Sequence, residues 1–180
     1  MTAFVFLADG FEDIEAIAVI DILRRAGVDV KTVSVNDEIE VRSAHGVTML
    51  ADTIVSAVSP EADDMLILPG GMPGTTHLGE CAALCDMLVE HNNRKGHIAA
   101  ICAAPSVLGN LGILEGHEAT CYPGIEGMLH CEYKPEDAVV VSDNIITSCG
   151  PGQAMNFALM IVGTWVSYDV MQLLTEQMQF

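Results

Sequence analysis

Three groups in this sequence have the type and surroundings that chemistry needs. The first is Cys102. It follows the apolar run His97-Ile98-Ala99-Ala100-Ile101, which reads as a buried strand, and precedes Pro105 in the first turn of a small-residue helix. The pattern Ala100-x-Cys102-x-Ala104 suits a nucleophile elbow, where bulky neighbours would clash on a tight strand-to-helix turn. The unpaired N–H groups of that helix start would favour a thiolate. The same run also suits a cysteine that is only a small buried hydrophobe. The second group is Glu15. On a helix over 12–26, Asp13, Asp21, Arg24 and Arg25 mark the polar side, whereas Glu15 lies over Ala18, Val19 and Ile22. Burial there would raise its pKa, although an acid at a helix start also simply complements the dipole. The third is Gly70-Gly71, after the apolar strand Met65-Leu66-Ile67-Leu68. Adjacent glycines at a strand end can aim N–H groups at an anion, as an oxyanion hole does, and can equally be only a turn.

The elements that must hold these groups alternate. Ala3-Phe4-Val5-Phe6-Leu7 reads as a central parallel strand, and Gly27 stops the helix that follows. Residues 28–35 form the next strand. A short hairpin joins 40–43 to 47–50 around His45-Gly46, and 56–64 is a polar connector. A helix over 81–92 precedes the elbow strand, a strand over 119–123 follows the elbow helix, and 139–142 pairs with 145–148 across Asp143-Asn144. Gly150-Pro151-Gly152 leads into one long helix over 153–174. This order predicts an α/β fold with a mostly parallel central sheet and helices on both faces, in one domain over 1–180. Gly10, Gly71, Cys102 and Tyr122 all follow strand ends, where such sheets bind ligands.

Composition narrows the partners. Seven basic residues against 25 acidic ones give a net charge of −18, which argues against nucleic acid and anionic membranes. The apolar stretch 157–166 is too short to span a bilayer, and the N-terminus shows no signal peptide. Six cysteines form no C-x-x-C pair, so reduced thiols in the cytoplasm are expected.

Four separated stretches together resemble the DJ-1/PfpI family of the class I glutamine amidotransferase-like superfamily, and its DJ-1-like branch in particular. They are Leu7-Ala8-Asp9-Gly10-Phe11-Glu12-Asp13-Ile14-Glu15, Leu68-Pro69-Gly70-Gly71, Ala99-Ala100-Ile101-Cys102-Ala103-Ala104-Pro105 and Thr147-Ser148-Cys149-Gly150-Pro151-Gly152. The resemblance implies a flavodoxin-like three-layer sandwich and a homodimer. It makes Cys102 the elbow nucleophile and Glu15 its protonated partner, with Gly70, Gly71, Ala103 and Tyr122 on the oxyanion and substrate side. A carboxyl that donates to the thiolate would lower the thiol's pKa.

Departures from the family pattern limit the chemistry. Ala103 stands where the PfpI-type proteases carry a His, so peptidase chemistry is disfavoured. Tyr122 precedes Pro123 where many relatives carry a His, and a phenol is a poor base at neutral pH. Cys149 replaces a basic residue, and His45 is the residue nearest a missing hairpin arginine, otherwise an exposed turn residue. The resemblance implies a cofactor-independent glyoxalase or deglycase, acting on small dicarbonyls such as methylglyoxal or on glycated protein, with no metal. The alternative is a redox-responsive stress or chaperone-like protein, in which an oxidised Cys102 is the signal and turnover is negligible.

Overall fold

The computed structural model describes residues 1–180. Its strands are β1 (Thr2–Leu7), β2 (Asp29–Ser34), β3 (Glu40–Arg42), β4 (Thr48–Leu50), β5 (Thr53–Ile54), β6 (Met65–Leu68), β7 (His97–Ile101), β8 (Glu118–Ala119), β9 (Glu132–Tyr133), β10 (Val139–Ser142) and β11 (Ile145–Ser148). The helices are α1 (Asp13–Arg25), α2 (Gly74–Glu80), α3 (Ala82–Asn93), α4 (Pro105–Asn110), α5 (Ala154–Ile161) and α6 (Tyr168–Gln177). Seven strands form one sheet in the order β10-β11-β7-β6-β1-β2-β5, with only β10 antiparallel to its neighbour. This is the expected flavodoxin-like α/β sandwich.

Period-2 alternation builds the two layers of core. Val5, Leu7, Ile67, Ala99 and Ile101 point to one face and pack with Ala16, Val19 and Phe157 of α1 and α5. Phe6, Leu66, Leu68, Ile98 and Ala100 point to the other and meet Leu84, Leu88 and Leu108 of α3 and α4. Both faces of the central strands are therefore dry, which explains their continuous apolar runs.

Four boundaries depart from the expected ones. The helix expected over 153–174 is two helices. Its middle, Val162–Val166, is a π-helical segment, and Ser167 is extended. Two contacts fix this break. Trp165 Nε1 donates to Asp63 O at 3.3 Å. The α6 residue Met171 comes so close that a Cβ on Gly163 would stand 2.6 Å from its Sδ. A separate helix, α2, precedes α3, and its first turn is tied down by Gly74 N–H donating to Gly10 O and Thr75 N–H to Gly71 O. The strand expected over 119–123 shrinks to β8, because Thr120 N–H donates to the Thr147 side chain and Tyr122 N–H to Cys102 O. The expected connector is preceded by β5 on the sheet edge and begins in a 3-10 turn, Val55–Ala57.

Candidate active site

The elbow is held from both sides. Cys102 has φ +64, a conformation rare for a residue with a side chain. Its N–H donates to Ser148 O and its carbonyl accepts from Tyr122 N–H, both at 2.8 Å. Ala104 N–H turns back to Ile101 O at 3.0 Å, and α4 begins at Pro105. Three neighbouring segments thus fix a backbone strain of the kind that marks functional turns.

Glu15 reaches the same place from α1. Glu12 caps that helix, its carboxylate accepting from Glu15 N–H at 2.8 Å, and its own N–H donates to Gly70 O at 2.9 Å. These contacts dock the helix start onto the glycine loop. Glu15 is fully buried, and Gly70 N–H donates to its Oε2 at 2.7 Å. Its other oxygen, Oε1, is buried without a hydrogen-bond partner. Such an orphan oxygen is costly when charged and acceptable when it carries a proton. Burial pushes the carboxyl up to about 7, against the lowering pull of Gly70 N–H and the Cys102 thiol.

The thiol responds in turn. Burial first, then the charge and hydrogen bonding of an ionised Glu15, push Cys102 up to about 12, while the N–H groups of Ala103 and Gly71 pull it down. The low-pKa thiol expected from the sequence therefore does not exist beside a charged Glu15. The two groups are coupled: the carboxyl ionises first, near 7, and a thiolate is favoured only while Glu15 stays neutral, when its charge no longer opposes the thiolate. Neither Gly71 nor Ala103 N–H makes a backbone hydrogen bond, so both are free to hold an anion at the sulfur.

The remaining expected site residues divide. Gly71 and Ala103 stand with their N–H groups at the sulfur. Gly70 does not donate toward an oxyanion: its N–H is taken by Glu15, and its role is to leave space. A Cβ there would stand 2.8 Å from Cys102 Cβ and 2.9 Å from Glu15 Oε2. Tyr122 joins the site through its backbone, whereas its exposed ring stands over Gly150 and its hydroxyl has no protein partner. Cys121, Cys131 and Cys149 influence one another's region, and burial followed by Glu126 and these neighbours pushes Cys121 up to about 12. None of them is among the groups that set Cys102. His45 is exposed, with Nδ1 2.8 Å from Asp13 Oδ2. Glu12, Asp13 and His45 have ligand-type atoms within 4.8 Å of one another, close enough to share a cation. The helix cap and the Asp13–His45 hydrogen bond already account for their positions. Ala103 is expected on the oxyanion side only through the family resemblance, because a backbone donor leaves no mark on side-chain pattern.

Comparison with known proteins decides the family. The DJ-1/PfpI family model matches residues 1–164. The chain belongs to the DJ-1/PfpI family. Protein DJ-1 homolog B of Arabidopsis thaliana is 40% identical over 159 residues, 87% of this chain. The chain spans only 36% of that relative's length. The glutathione-independent glyoxalase DJR-1.2 of Caenorhabditis elegans is 38% identical over 85% of this chain and 82% of its own. The structure of oxidized Toxoplasma gondii DJ-1 superposes with a TM-score of 0.94 at 37% identity, covering 99% of this chain and 98% of that one. Within the family the chain resembles the DJ-1-like branch. No helix is long and apolar enough to cross a membrane.

Proposed function

We propose that this chain is a cofactor-independent glyoxalase-type enzyme acting on small dicarbonyls such as methylglyoxal, or on their adducts with protein amines. The observation that carries the reading is the buried Cys102–Glu15 pair, with the free N–H groups of Gly71 and Ala103 facing the sulfur. The Cys102 thiolate adds to the aldehyde carbon, and the carbonyl oxygen becomes an alkoxide that Gly71 and Ala103 N–H receive. Glu15 gives its proton to that oxygen. The aldehyde carbon's proton then moves to the neighbouring ketone carbon through an enediolate, with Glu15 as the shuttle. This oxidises the first carbon to a thioester and reduces the second to an alcohol. Water cleaves the thioester, releasing lactate and the thiol, so no external oxidant is consumed. Peptide cleavage is disfavoured because Ala103 supplies no base.

The test is steady lactate production from methylglyoxal by freshly reduced protein. Absence of turnover, with intact mass rising by oxygen increments at Cys102 under mild peroxide, would favour the redox-responsive reading instead. The exposed ring of Tyr122, in place of a base beside the sulfur, is the feature that favours that alternative.

The unpaired thiols suit a reducing compartment such as the cytoplasm. A homodimer is proposed as well. Ile14 and Ile17 are exposed one turn apart on α1, and Val47 and Leu50 are exposed on the hairpin that Ser43 ties to Asp13. A second copy covering this patch would lie next to the Glu15 helix. Ile17→Glu is expected to shift the protein from dimer to monomer in light scattering after size exclusion. An unchanged mass would count against this face.

A further inference from the structure

A cavity of about 310 Å³ opens beside Ala103, between α2 and α4. We propose that it receives the apolar tail of the carbonyl substrate, so that 2-oxoaldehydes with a longer alkyl chain or an aryl group are preferred to methylglyoxal. The proposal rests on the enzyme reading above and names its substrate class.

The link to the reacting atoms is covalent and short. Met72 and Ala103 both line the cavity. Met72 follows Gly71 in the chain, and Ala103 is itself one of the two residues whose N–H faces the sulfur. Cys102 and Gly71 do not themselves line the cavity, so the tail of a carbonyl held by those donors would reach it past Met72 and Ala103. The walls suit an apolar group. Val107, Leu111 and Ile125 contribute hydrocarbon. Of the polar liners, Ser106 Oγ donates to Ala103 O at 2.7 Å and Cys85 Sγ to Gly79 O at 3.3 Å, whereas Thr75 Oγ1 has no partner and Thr76 and Asn110 also stand at the wall. Hydrocarbon still makes up most of the wall, so a hydrocarbon tail gains by leaving water there.

Gly79 offers a way to fill the space. A Cβ built on it meets only Val107 Cγ2, at 3.7 Å, an ordinary contact that leaves the start of a side chain room at the cavity wall. The experiment measures alkylation of Cys102 by intact mass, using iodoacetamide and N-benzyl iodoacetamide, each rate divided by that of free glutathione. The intact protein is expected to favour the benzyl reagent at least about tenfold, the scale of a hydrophobic pocket's discrimination. Gly79→Leu should bring the ratio near one, and the milder Gly79→Ala should lower it part-way. A ratio near one in the unaltered protein, or one unmoved by both variants, overturns the proposal. Turnover of methyl- and phenyl-substituted oxoaldehydes is measured alongside. Turnover without a tail preference overturns the cavity's role and keeps the enzyme reading. A tail preference without any turnover keeps the cavity as a tail site at Cys102 and overturns the enzyme reading.

Discussion

Glu15→Gln is expected to lower lactate production from methylglyoxal about a hundredfold, because a Gln keeps the acceptor for Gly70 N–H but can neither give nor take a proton. The variant also removes the negative charge that pushes the Cys102 thiol up, so alkylation of Cys102 at pH 7.5 should be at least as fast as in the unaltered protein. The thiol is then left with its burial, which pushes it up, and with Gly71 and Ala103 N–H, which pull it down. Turnover kept in Glu15→Gln would remove Glu15 from the proton pathway.

The same substitution should act on stability with the opposite sign. The folded carboxyl titrates near 7 and the unfolded one near 4.5, so the native state holds the extra proton between those values. Stability is fully present below about 4.5, falls as pH rises toward 7, and stays low above it. Moving a carboxyl from 4.5 to about 7 corresponds to about 3 kcal/mol. Glu15→Gln should therefore gain about 1–3 kcal/mol over the unaltered protein at pH 8, and almost nothing at pH 4.5, in urea unfolding. A protein less stable than the parent at pH 8 would contradict a buried charge at this position. Stability gained where turnover is lost is the mark of a functional group retained at a cost to the fold.

Gly70→Ala is expected to have the second large effect. Its added Cβ meets Cys102 Cβ at 2.8 Å, Glu15 Oε2 at 2.9 Å and Ile101 O at 2.9 Å. Cys102 Cβ and Ile101 O cannot swing aside, and Glu15 Oε2, the end of its side chain, is buried and held by Gly70 N–H. One is the backbone of the elbow strand, and the other two are the reacting pair. Relief requires that the pair separate or that β6 and β7 part. Turnover should drop at least about a hundredfold, as expected for reacting groups displaced by about an ångström. Overpacking should cost about 1–3 kcal/mol in stability. Near-native turnover in Gly70→Ala would mean that the pair works without the close approach seen here.

Much of this arrangement was legible in the chain. The small residues around Cys102 match a turn with φ +64 that Ser148 and Tyr122 hold in place. Glu15 betrayed itself by lying among Ala18, Val19 and Ile22, and it is fully buried. The apolar runs of β1, β6 and β7 reflect packing on both faces of the sheet. What escaped was set by distant contacts. The break after α5 depends on Trp165 reaching Asp63 and on Met171 pressing against Gly163, in a stretch whose apolar pattern continues without interruption. The division of labour between the adjacent glycines depends on which N–H Glu15 takes, and a side chain 55 positions away decides it. The thiol's acidity also escaped, because proton sharing between two buried acids is a property of their geometry and not of either residue alone.

The most direct test of the central claim is lactate production from methylglyoxal by Cys102→Ala beside the unaltered, freshly reduced protein. The expected result is steady turnover in the parent and a rate at the uncatalysed background in the variant, with both showing the same cooperative unfolding. Turnover retained in Cys102→Ala would contradict the thiolate mechanism outright.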